Sequence, residues 1–236
     1  MNRALLGTDF PNPDFQSAKG RFVTLERLDW ARHLDGLFAC LGGDDNQDIW
    51  RWLGNSGPYG DEERDKFTAE FAAAQVSEKL PWQTVVIRDA TLDTVVGMAS
   101  LMRIRPNAGS MEVGFIAYSH HLQRTPQATE AMYLLMRYCF EDLGYRRYEW
   151  KCNDRNKPSM RAAQRLGFTY EGTFRQDQIA KGENRDTAWF SMLDHEWPTI
   201  GAAFEAWLSQ ENFDAAGQQR TKLEDIRTSL NSSKSG

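Results

Sequence analysis

Met111-Glu-Val-Gly-Phe-Ile-Ala-Tyr118, followed three residues later by Leu122-Gln-Arg-Thr-Pro-Gln-Ala-Thr-Glu-Ala131, decides how this chain folds. The first segment is short, apolar and rich in strand-forming residues, so it reads as a strand. In the second, Thr125 is a good helix N-cap and Pro126 suits the first helical position, where a missing N–H costs nothing. Met132, Leu135, Met136, Cys139, Phe140 and Leu143 then recur at helical spacing, and Gly144 ends the run. A strand feeding straight into a helix start presents several unpaired N–H groups at the positive end of the helix dipole. Such a site suits a pyrophosphate.

Working outward, Trp82 to Arg88 and Thr94 to Arg105 read as paired strands, joined to the central one by the turn Pro106-Asn-Ala-Gly109. Upstream, Arg21 to Leu28 alternates as a first strand, and Asp29 caps a helix running to about Leu41. Asp48 to Leu53 reads as a helical turn, and Asp61 to about Ser77 as a helix with Phe67, Phe71 and Ala74 on one side. Downstream come a strand from Arg146 to Lys151, a helix from Asn156 to Leu166 stopped by Gly167, strands Phe168 to Arg175 and Asp186 to Leu193, and a helix from Glu196 to about Gln210. Residues 1–19 read as an arm over the surface, 20–211 as one domain and 212–236 as a polar tail. In that tail Leu223, Ile226 and Leu230 support a short appended helix, and 232–236 are expected to be disordered. A meander of strands followed by strand–helix–strand predicts an α+β fold: a strongly twisted, mostly antiparallel sheet of about seven strands flanked by helices.

The chain has 236 residues, 41% of them hydrophobic, which suits one globular domain with a sizeable core. Its 33 acidic and 28 basic residues give a net charge of −5, which argues against a nucleic-acid partner but leaves room for a local basic pocket. Cys40, Cys139 and Cys152 are too scattered for a disulfide framework, no histidine pair has metal spacing, and no metal is expected. No apolar run is long enough to span a membrane and the N-terminus lacks a signal-peptide pattern, so a cytoplasmic location is expected.

The block 111–131 resembles the core motif of GNAT acyltransferases. Asp154-Arg-Asn-Lys-Pro-Ser159 and Ala163-Gln-Arg-Leu-Gly-Phe-Thr-Tyr-Glu-Gly172 are similar to the branch that acetylates ribosomal-protein N-termini and assorted small amines. The likeness covers about residues 20–197. It implies an N-acetyltransferase that moves an acetyl group from acetyl-CoA to a primary amine, either a peptide N-terminus or a small molecule. Phe115, Ile116, Gln123, Arg124, Thr125, Gln127, Ala128 and Thr129 would then hold the donor, and Asn156 its pantetheine arm. Ser159 would support the departing thiolate. The acceptor would lie near Trp50, Trp52 and Tyr59. Pro126 departs from the pattern, standing where the family has glycine and removing one N–H donor.

An amine attacks a thioester only when neutral, so something must take its proton. Glu112 is the candidate base: it lies on the strand before the cofactor loop between two apolar neighbours, where burial would raise its pKa. An outward carboxylate on an amphipathic strand is the plainer reading, and His120–His121 an alternative base. Helix capping explains Asn156 and Ser159, and core packing explains Trp50 and Trp52. A non-catalytic CoA-binding or interaction module with the same fold is the alternative function, and a homodimer is compatible with either.

Overall fold

The computed structural model describes residues 10–76 and 81–233. Eight strands form one sheet in the spatial order β1-β2-β3-β4-β5-β6-β8-β7. They are β1 (Ser17–Lys19), β2 (Val23–Arg27), β3 (Gln83–Asp89), β4 (Val95–Arg105), β5 (Ser110–Tyr118), β6 (Arg147–Asn153), β7 (Thr169–Ala180) and β8 (Glu183–Leu193). Every neighbouring pair is antiparallel except β5 and β6, which are parallel. The expected count of about seven falls one short, because the three-residue β1 lies in the segment read as an arm. Phe10 and Phe15 of that segment enter the main core, so residues 10–19 pack rather than drape, and 1–9 lie outside the described residues.

The helices are α1 (Trp30–Leu41), α2 (Arg64–Val76), α3 (Pro126–Arg137), α4 (Lys157–Leu166), α5 (Trp197–Leu208) and α6 (Leu223–Ser233). Asp29 caps α1 by accepting the Ala31 N–H at 2.9 Å, and His33, Leu37 and Leu41 turn inward one helical turn apart. Thr125 caps α3 and Pro126 occupies its first turn, as the sequence predicts. Glu130, buried on α3, accepts the N–H groups of Arg21, Phe22 and Val23, fastening the helix to the start of β2. At the end of α4, Gly167 adopts φ +103°, a conformation that strains any residue with a Cβ, and its N–H bonds to Gln164 O.

Alternate residues of each strand face opposite sides, so the sheet carries two cores. Val85, Ile87, Ala99 and Leu101 face α3 and α5, while Val86 and Met98 face α1 and α2. The tail helix α6 forms where Leu223, Ile226 and Leu230 suggest; Leu223 is fully buried, and Arg227 donates to the carbonyls of Gln164 and Arg165 at the end of α4. No helix among the described residues is long and apolar enough to cross a membrane.

Candidate active site

The parallel pair opens the site. Its register runs from Ser110 opposite Arg147 to Val113 opposite Trp150 and stops there, so past these residues β5 and β6 part. On β5 the parting coincides with a break in regular geometry: Phe115 has φ +48°, and the β4 register shifts beside it. Gly114 sits at the parting point, where an added Cβ would come within 2.9 Å of a Glu112 carboxylate oxygen and 2.5 Å of the Met102 sulfur. The freed edge of β5 leaves main-chain groups facing a cleft of about 1060 Å³.

Glu112 lies at the lip of this cleft, on the side facing away from α3. Only 4% of its side chain is exposed, and its oxygens are engaged by Arg103 Nη1 at 2.8 and 2.9 Å and by Lys151 Nζ at 2.7 Å. Glu112 is buried as the sequence suggests, but its charge is also met by two cations, which the sequence does not announce. Lys151 also pairs with Glu149 at 2.8 Å and lies 3.9 Å from the centre of the Trp189 ring. Burial alone would raise the Glu149 carboxyl, but hydrogen bonds from Arg147 and Lys151 and the nearby charge of Arg105 hold it down at about 2.

Across the sheet, Asn156 caps α4 by accepting the Ser159 N–H at 3.2 Å, and Ser159 Oγ accepts Trp150 Nε1–H at 3.0 Å. Capping is thus part of what Asn156 does, through its oxygen, while its side chain still lines the cleft. Burial pushes the neighbouring Cys152 thiol up, an effect that the Ser159 hydroxyl partly offsets.

Towards α3 the lining becomes basic. Phe115, Ile116, Gln123, Arg124, Thr125, Ala128 and Thr129 all border the cleft. Gln127 does not: its amide turns back to Asp89 at 3.3 Å. The helix start itself offers fewer donors than its position suggests, since Pro126 has none and Thr125 Oγ1 takes the Ala128 N–H at 3.2 Å. Arginines compensate. Arg165 donates to Thr129 Oγ1 at 3.0 Å and lies 5.1 Å from the Trp207 ring, with no carboxylate in ion-pair contact among the described residues. Desolvation lowers its pKa, an effect that the charge of Glu224 opposes and that of Arg227 adds to. The tail contributes the outer wall: Trp207 Nε1 donates to Gln219 at 2.8 Å, and Phe213, Gly217, Gln218 and Gln219 border the same space. The sequence does not announce this wall, because its residues carry no motif and lie mostly in a polar stretch.

Among the described residues, Arg103, Arg124, Lys151, Arg161, Arg165 and Arg185 line the cleft against only two acids, Asp48 and Glu112. In a chain of net charge −5, this cleft thus has a basic lining, which favours an anionic ligand.

Of the three aromatic residues expected near the acceptor, only Trp52 borders the cleft. Trp50 and Tyr59 are fully buried in the second core, their rings 4.7 Å apart, and Trp50 Nε1 donates to Leu41 O at 2.7 Å. They support the wall without facing a ligand. His120 and His121 are half-exposed beside Asp48 and Asp89 and stand off the cleft.

With this geometry in place, the likeness to known proteins is specific. Residues 23–169 match the acetyltransferase (GNAT) domain model, and the chain belongs to that family. A GCN5-related N-acetyltransferase from Brucella melitensis is 43% identical, with a TM-score of 0.87 over 94% of this chain and 99% of that one. A protein from Chromobacterium violaceum described as a probable GNAT-family acetyltransferase is 36% identical, with a TM-score of 0.75 over 84% of this chain and 96% of that one. An uncharacterized N-acetyltransferase of Bacillus licheniformis, p20, is 30% identical over 48% of this chain, and the match spans 62% of its own length.

Proposed function

We propose that this chain transfers an acetyl group from acetyl-CoA to a primary amine by direct attack on the thioester. The observation that carries the reading is the parting of β5 and β6, with Glu112 on one face of the gap and Asn156 and Ser159 on the other. An extended pantetheine arm suits the open edge of β5, which can bond it as a further strand would. Arg124, Arg161 and Arg165 suit the phosphates at the far end, doing what the proline-bearing helix start does less well.

The acceptor amine would approach from the Glu112 face. Its nitrogen forms a bond to the thioester carbon, and its proton passes to Glu112, directly or through a water held there. The carbon–sulfur bond then breaks, and the Ser159 hydroxyl donates to the departing thiolate. Arg103 and Lys151 are positioning residues that fix the Glu112 carboxylate. A non-catalytic CoA-binding module would have no use for this arrangement across the gap.

Release of free thiol from acetyl-CoA, dependent on added amine, tests the reaction; donor binding without release across a broad amine panel would refute it. Arg165→Gln tests the donor site. It is expected to weaken CoA binding about tenfold or more, since a charge-assisted hydrogen bond contributes about 1.5–3 kcal/mol. A pantetheine thioester lacking phosphates should bind both proteins equally. Unchanged CoA affinity in calorimetry would remove Arg165 from the site.

A further inference from the structure

The Glu112 side of the cleft contains polar groups that acetyl transfer as such does not use. Arg185, Thr187 and Trp189 follow one another on the same face of β8, and Trp189 pairs in register with Lys151. Arg185 Nη1 donates to Gln178, but its buried Nε–H has no partner, and neither do the buried Thr187 Oγ1, Trp189 Nε1 and Trp82 Nε1. Three of these four are obligate donors. Buried polar groups are nearly always paired, so these unpaired ones, three of them on Trp82, Arg185 and Thr187 of the cleft lining, call for an explanation. Glu112 and Asp177 are the carboxylates whose fields reach Arg185, and neither is in ion-pair contact with it.

A second observation concerns access. Lys181, at the tip of the β7–β8 hairpin, donates from its backbone N–H to Asn55 Oδ1 at 2.8 Å and from Nζ to Trp50 O at 2.7 Å. The hairpin therefore bridges to the segment after α1 and roofs the acceptor end, which suits a small molecule better than a polypeptide terminus.

We infer that the acceptor is a small amine carrying a carboxylate, an amino acid, whose carboxylate is received by Arg185 and Thr187 in the cleft that the Trp82 indole also lines. The inference rests on the acetyl-transfer reading and deepens it. Arg185 has the edge formed by Nε and Nη2 left to offer, the fork by which a guanidinium holds a carboxylate through two parallel bonds. Met102, Phe115 and Trp52 in the same lining favour an apolar side chain on the acceptor. A polyamine would meet the Arg185 guanidinium and unpaired N–H donors here and would be repelled.

The test pairs turnover with binding. Thiol release is measured for L-leucine and L-phenylalanine against their amides and their decarboxylated amines, with rates referred to the neutral amine. Binding of N-acetyl-L-phenylalanine and of its amide is measured separately by tryptophan fluorescence. The acids are expected to be preferred by about tenfold or more in kcat/KM and in affinity. Arg185→Gln should erase that preference by raising KM for the acids alone, Arg185→Lys should restore part of it, and acetyl-CoA affinity and melting temperature should hold. Equal binding of acid and amide by the unaltered protein would overturn the inference even if amides are acetylated, leaving the transfer reading intact. Equal losses for acid and amide in Arg185→Gln would overturn it too. A retained preference for the N-acetyl acid with no thiol release from any amine would support the carboxylate site and sink the transfer reading instead.

Discussion

Glu112→Gln is expected to lower turnover about 10²-fold or more while leaving acetyl-CoA affinity within about twofold, the signature of a group acting in the chemical step. The substitution keeps the shape of the side chain and removes its charge, so Arg103 and Lys151 lose the carboxylate that both now hold. Taking one partner from a buried ion pair destabilises, and the variant must therefore be assayed well below its own melting temperature. Lys151 keeps Glu149 as a second partner, which limits that effect. Full turnover in the variant from about pH 6 to about pH 9 would take Glu112 out of the mechanism. A parallel fall in donor affinity would give it a structural role only.

Trp50→Ala should have the largest effect on stability. The indole is fully buried, packs edge-on against Tyr59, Phe67 and Phe71, and fills its one donor on Leu41 O. Truncating such a side chain costs about 3–5 kcal/mol through lost burial and the cavity left behind. In a chain of this length that corresponds to a fall in melting temperature of roughly 10 °C. Trp52→Ala, two residues away and partly exposed in the cleft, should shift melting by no more than about 3 °C and act on acceptor KM instead. If the two variants melt alike, the division between wall and lining drawn here is wrong.

That pair also shows where the sequence stops being informative. Residues Asp44–Trp52 form 3₁₀ turns, whose side chains stack at a spacing of three, and an aromatic-rich run there does not announce which ring turns inward. The long elements were legible because cap and period agreed: Thr125-Pro126 opens α3, and Asn156 and Gly167 bracket α4. The two strands of the β7–β8 hairpin extend past their expected ends only on the side of the turn. The hairpin runs on to Lys181 and Gly182, both at positive φ, a two-residue turn that a run of polar residues concealed. The ion pairs of the site were hidden for a different reason. Arg103, Glu112 and Lys151 stand on three strands, and only sheet register brings them together. Glu112 itself could be singled out from its strand and the helix start after it, but the cations that hold it could not. β1, at three residues, is too short to carry a pattern.

The seam between β5 and β6 has a thermodynamic consequence. Four residue pairs join the two halves of the sheet there, and beyond them main-chain groups that a longer pairing would have satisfied stay open. A ligand that bridges this gap binds the folded chain and not the unfolded one, so its concentration becomes a term in the folding equilibrium. At a hundred times its Kd such a molecule adds about 2.7 kcal/mol, which is roughly 5–10 °C in melting temperature for a chain of this size. The melting point should thus keep climbing with the logarithm of CoA concentration after the site is saturated. A keystone behaves this way: the arch stands without it, and grows harder to pull apart the more often the stone is in place.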